Sequence, residues 1–336
     1  MQLLKRVLLT STAVLLVAGC GKHRETVKQV EKLVENKSYN EAMDVLQQAL
    51  QQDPESKPLL QQYVLLFLHV ENLRYTTAAY RRLTATHPGD PVLIESVSHP
   101  NPVVRVTAAK ALGFFKDANA IKALSEASKD PEKSVRRAAV LALGELEQEE
   151  VIPALVSALD DSYWYIRAEA ALALGKIGDA QSASRLFSML QDSDPYVREN
   201  VQQALQDLAS EVNQSAYLGA LNSDIPKTRL VSAIALAYAG NAAGTQVLVT
   251  ELSNPDSTEL LSVIQAAAAL EEPELLPALR NLMEHEDKNV AAHAILALGE
   301  LDDIESVQRI KTKLQSKSEP KIIKTACLMA LNMISQ

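Results

Sequence analysis

The residues best equipped for chemistry form a row. Arg105, Arg136, Arg167, Arg198 and Arg229 recur at a constant 31-residue step, and Asp130, Asp161 and Asp192 stand six positions ahead of Arg136, Arg167 and Arg198. A guanidinium presents five N–H donors in a rigid fork that matches a carboxylate. A row of such forks reads either as an anion-binding strip or as a set of internal ion pairs, and the accompanying aspartates favour the pairs. Other reactive groups are few. None of the six histidines belongs to a two-histidine metal motif, and H-E-x-x-H, G-x-S-x-G, a P-loop and a dinucleotide fingerprint are all missing. No cofactor or metal is expected. His285 lies in Glu284-His285-Glu286-Asp287, which reads as a solvated turn. Cys20 and Cys327 are the two cysteines.

A second cluster is aromatic. Tyr163-Trp164-Tyr165 occupies the place that Glu132-Lys133-Ser134 holds one repeat earlier, and Tyr196 takes the place of Tyr165 one repeat later. Trp and Tyr at a turn suit a protein-binding hot spot. They equally suit filler packed between neighbouring turns, and the sequence leaves both open.

The elements that must carry these groups are helices. Apolar residues make up 47% of the chain but aromatic ones only 4%, a mixture that favours close-packed helices over strands. Val135, Ala139, Ala142, Leu143 and Leu146 line one helical face, and Ile166, Ala170, Ala173, Leu174 and Ile177 repeat it. Leu112, Leu143, Leu174, Leu205, Leu236 and Leu298 keep the 31-residue step, as do Gly113, Gly144, Gly175 and Gly299. One helix pair cannot bury its own apolar face, so the units must stack. The expected fold class is all-α, an α-solenoid: a superhelix of stacked antiparallel helix pairs.

With Asp130, Val135-Arg136 and Ala142-Leu143-Gly144 as its motif, residues 91–336 resemble HEAT repeats of the short type found in phycobilin lyases. The resemblance implies an aspartate–arginine ladder along the stack, formed by Asp130, Asp161 and Asp192 with Arg105, Arg136, Arg167, Arg198 and Arg229. Deoxyhypusine hydroxylase builds a di-iron site from several His-Glu pairs on similar repeats; here a single pair stands alone. Ahead of this region, Ala42, Leu46, Ala49 and Pro54, followed at a 34-residue step by Thr76, Tyr80, Leu83 and Pro88, resemble tetratricopeptide repeats over 26–90. Thr76 and Leu83 depart from that pattern.

Lys5 and Arg6 precede an apolar run from Val7 to Val17, which ends in Ala18-Gly19-Cys20. The run is too short to span a bilayer. It resembles a bacterial lipoprotein signal over residues 1–20, which implies cleavage between Gly19 and Cys20, acylation of Cys20 and a tether over 20–25. The implied location is the cell envelope, on the outer membrane facing the periplasm where the organism has one. With a net charge of −9, nucleic acid is not an expected partner. The sequence therefore predicts a lipid-anchored, non-catalytic scaffold that binds a protein or peptide, with a lyase-type enzyme or accessory factor as the alternative.

Overall fold

A computed structural model describes residues 23–211 and 214–334. Gly19 and Cys20, and with them the expected signal and acylation site, lie outside the described residues. Those described form twenty α-helices and no strand. No helix among them is long and apolar enough to cross a membrane.

Why helices begin where they do follows from local chemistry repeated at a fixed step. First helices open at Pro102, Lys133, Trp164, Pro195, Pro226 and Lys288, all on the 31-residue period. Proline suits a first helical turn, where its missing N–H is not needed. The preceding turn recurs as well. His99, Asp130, Asp161, Asp192, Ser223, Asn254, His285 and Ser316 each accept a hydrogen bond from the backbone N–H two positions later. Four residue types share this role because each offers one acceptor atom.

The first helices end in an equally regular way. Lys116, Glu147, Gly178, Gly240, Glu271 and Asp302 have left-handed backbone and stand on the same step. Position 209, the missing member, is Ala209 inside the longer helix Pro195–Glu211. In the amino-terminal part Lys37 and Glu71 are also left-handed, and they stand on the longer, 34-residue step. The change of period is thus written in the backbone.

The chain divides into two compact units, residues 1–173 and 174–336. In the first, the hairpins of residues 24–86 and the 31-residue repeats share one packed body. Their joint is Asp90, whose side chain is fully buried. It accepts from Nε2 of Gln61 at 3.0 and 3.2 Å and from the N–H of Val92 at 3.0 Å, and Nζ of Lys57 lies 3.0 Å away. The Tyr80 hydroxyl donates to its carbonyl at 2.9 Å. Thr76 is buried where Ala42 stands one repeat earlier, and its hydroxyl has no hydrogen-bond partner.

Successive first helices touch through glycine and alanine. A Cβ added to Gly113 would lie 2.8 Å from Cα of Ala142, and one on Gly144 would lie 2.9 Å from Cβ of Ala173. In the second unit Gly175 meets Ala204 and Gly299 meets Ala330 in the same way. This unit's core runs from Leu230 through Val263, Leu279 and Leu298 to Cys327 and Ala330. Cys327 is fully buried, and burial raises its thiol pKa.

The repeat with Leu260 and Ala268 where arginine and glycine would stand departs structurally too. Its first helix, Leu260–Leu270, starts three positions late and is short.

Candidate protein-interaction surface

Each ladder arginine has a backward set of partners. Nη1 donates to the carbonyl six positions earlier: Arg105 to His99, Arg136 to Asp130, Arg167 to Asp161, Arg198 to Asp192 and Arg229 to Ser223, at 2.7–3.0 Å. In the first unit, Arg105 and Arg136 turn the rest of the fork forward to the carboxylate in the turn of the following repeat. Nε of Arg136 donates to Oδ2 of Asp161 at 2.6 Å and Nη2 to Oδ1 at 3.1 Å. Nε and Nη2 of Arg105 lie 2.8 and 2.9 Å from the two oxygens of Asp130. Arg136 therefore takes its own aspartate's carbonyl, while the carboxylate it grips belongs to the next repeat. Burial alone would raise the pKa of Asp161, but its bonds from Arg136 and from the Tyr163 N–H hold it below the usual carboxylate range.

One pair lay off the period and was invisible to it. Nε of Arg280, on a second helix, donates to Oδ2 of Asp303 at 2.9 Å, and the Ser306 hydroxyl donates to the same carboxylate. No repeated residue signals it in the sequence. Lys57, Gln61 and Asp90 carry no repeated signal either.

The aromatic cluster resolves into two roles. Nζ of Lys133 stands 4.7 Å from the ring centre of Tyr163, and the guanidinium carbons of Arg136 and Arg137 stand 5.6 and 5.4 Å from Tyr163 and Tyr165. Both tyrosines thus pack on cations of the preceding repeat. Trp164 meets the ring of Tyr165 edge-on at 5.7 Å and remains 43% exposed. Tyr163 is 37% exposed, and in the second unit Tyr196 is 60% exposed. Filler and open surface coexist within three residues.

Histidine contributes one further pair. His69 and His99 meet edge-to-face at 5.2 Å. The pKa of His99 falls to about 4, chiefly through burial and then through His69 and Arg105. His99 lines an open cleft of about 380 Å³ with Val97, Ser98, Arg105, Glu126 and Asp130, among others. Within it Arg105 and Asp130 are bound to each other. His285 makes the turn bond already described and lies 3.2 Å from the carbonyl of Pro255. Among the described residues no group of three or more His, Cys, Asp or Glu side chains is placed to hold a metal.

Comparison with known proteins agrees with this architecture. Residues 90–171, 152–239 and 245–332 match the family described as HEAT repeats. No curated protein matches the chain. Among solved structures, the CpcE–CpcF phycocyanin lyase complex from Nostoc sp. PCC7120 is 18% identical over 73% of this chain and 92% of that one, with a TM-score of 0.36. Human deoxyhypusine hydroxylase is 20% identical over 72% and 94%, with a TM-score of 0.32. Kap121p bound to Nup53p is 14% identical over 83% and 42%, with a TM-score of 0.48. Likeness at this level transfers no substrate, cofactor or partner. The three matched stretches cover most of the chain, which belongs to the HEAT-repeat family.

Proposed function

We propose that this chain is a non-catalytic scaffold that binds a protein or peptide and is held to a membrane of the cell envelope through acylated Cys20. The exposed Trp164, set on a bed of tyrosines and cations, carries the binding part of the reading. Exposed aromatics fixed in place lose little freedom when a partner covers them. In the cleft beside His99, Arg105 and Asp130 neutralise each other. The tether rests on the order of apolar run, small residues and cysteine up to Cys20.

The test places a photo-crosslinking residue at Trp164 in cells and compares capture with and without Tyr165→Ala. Discrete crosslinked proteins, diminished in the double variant at unchanged helicity, are expected. Capture that does not depend on either position removes the binding surface. Intact mass of the amino-terminal peptide checks the anchor separately: an unmodified Cys20 thiol on the mature protein would remove the tether and leave the scaffold.

A further inference from the structure

In the first unit Arg136 shows what a complete rung looks like. Nη1 donates backward to the carbonyls of Asp130 and Pro131 at 3.0 and 3.2 Å, which fixes the plane of the guanidinium. The edge formed by Nε and Nη2 must then face the next turn, where Asp161 fills it. Arg198, in the second unit, keeps the backward set, with Nη1 at 2.7 and 3.1 Å from the carbonyls of Asp192 and Ser193. Its forward position, the counterpart of Asp161 for Arg136, is held by Ser223. The serine keeps the turn role, accepting from the N–H of Ile225 at 3.2 Å, but has no second oxygen to extend. Among the described residues no carboxylate pairs with Arg198, which is half-buried.

The next rung is incomplete as well. Arg229 donates to the carbonyl of Ser223 at 2.8 Å, and Asn254 stands where its carboxylate would be. Glu251 comes only to 3.6 Å and is engaged by the Ser257 hydroxyl at 2.8 Å. The helices Pro195–Glu211 and Pro226–Tyr238, which bear the two arginines, pack against each other. Exposed Tyr196 and Ile225 flank the open edge, one two positions before Arg198 and the other two positions after Ser223.

We infer that the open fork of Arg198, continued by Arg229, receives the carboxylate side chains of an acidic segment in a protein partner. The inference rests on the scaffold reading and names the chemistry of its ligand. The preference for carboxylate follows from Arg136 and Asp161, where the same fork in the same setting grips both oxygens of one. Tyr196 and Ile225 add apolar contact beside the charge, so an acidic residue with apolar neighbours fits best. A polyanion such as nucleic acid would meet a chain of net charge −9.

The experiment follows the Nε–Hε resonances of the arginines in labelled protein. The probes are a blocked peptide alternating Asp and Leu, its Asn-for-Asp counterpart, and inorganic phosphate. The Arg198 signal is expected to shift saturably with the Asp peptide alone, while that of Arg136 stays still. Ser223→Asp should close the fork from within, weakening the peptide at least fivefold and raising the Tm; Arg198→Gln should weaken it to the same extent. Equal binding of the Asn peptide, equal response to phosphate, or undiminished affinity in Ser223→Asp would each overturn the inference. Crosslinking from Trp164 in the same variants keeps the two readings apart, since its persistence without peptide binding sinks the receptor alone.

Discussion

Lys116 and Glu147 occupy the same left-handed cap in successive repeats, and Nζ of the lysine lies 3.2 Å from Oε1 of the glutamate. The ion pair is exposed and contributes little. The backbone they share costs more, because a side chain in this conformation crowds the following carbonyl.

Glu147→Gly should therefore raise stability by about 1 kcal/mol despite losing the pair. Gly240 has the same backbone and nothing within 4 Å of where a Cβ would stand. Gly240→Ala isolates the backbone effect and should lower stability by a similar amount. Urea unfolding of both variants checks the sign: a less stable Glu147→Gly would show that the pair outweighs the cap.

Gly113→Ala should destabilise, by about 1–3 kcal/mol, although alanine is the better helix former. The added carbon would stand 2.8 Å from Cα of Ala142, which is backbone and cannot turn aside. Gly219, also helical, has nothing within 4 Å, so Gly219→Ala should be neutral or stabilising. Thermal unfolding that ranks the two alike would contradict the close approach.

Acid should weaken the fold in two windows. Between pH 6.5 and about 4 an unfolded chain protonates His99 while the folded one refuses the proton, so stability falls as pH falls, with a slope approaching one proton. Asp161 and Asp303, held below the usual carboxylate value of 3.8, lose their contribution only further down. His99→Asn keeps an acceptor for the Asn101 N–H, as Asn254 does in its own turn. It should flatten the upper window and spare the lower one. An unchanged slope between pH 6.5 and about 4 would assign that loss to another group.

How much of this the sequence disclosed depends on how narrowly each position restricts its residue. The Gly113–Ala142 approach admits only small side chains and the forks demand arginine, so both leave a period that the eye can find. The left-handed caps do not: Lys116, Glu147, Glu271 and Asp302 share a backbone and no side-chain chemistry. The turn acceptors from His99 to Ser316 share one atom and nothing else. Partner choice was hidden in another way. Asp161 is close in sequence to Arg167 and far from Arg136, and only the packing of one repeat on the next decides that its carboxylate goes to the more distant arginine.

Asp90 has an implication for how such an array is inherited. Lys57 and Gln61, on the 34-residue side of the joint, hold a carboxylate whose other bond opens the first helix beyond it. Replacing Lys57 and Gln61 by apolar residues would strand that charge in the interior without its partners, a far larger penalty than the loss of one ordinary contact. Whole repeats can be gained or lost within a uniform run, but the two periods are soldered together here and must be kept or discarded as one.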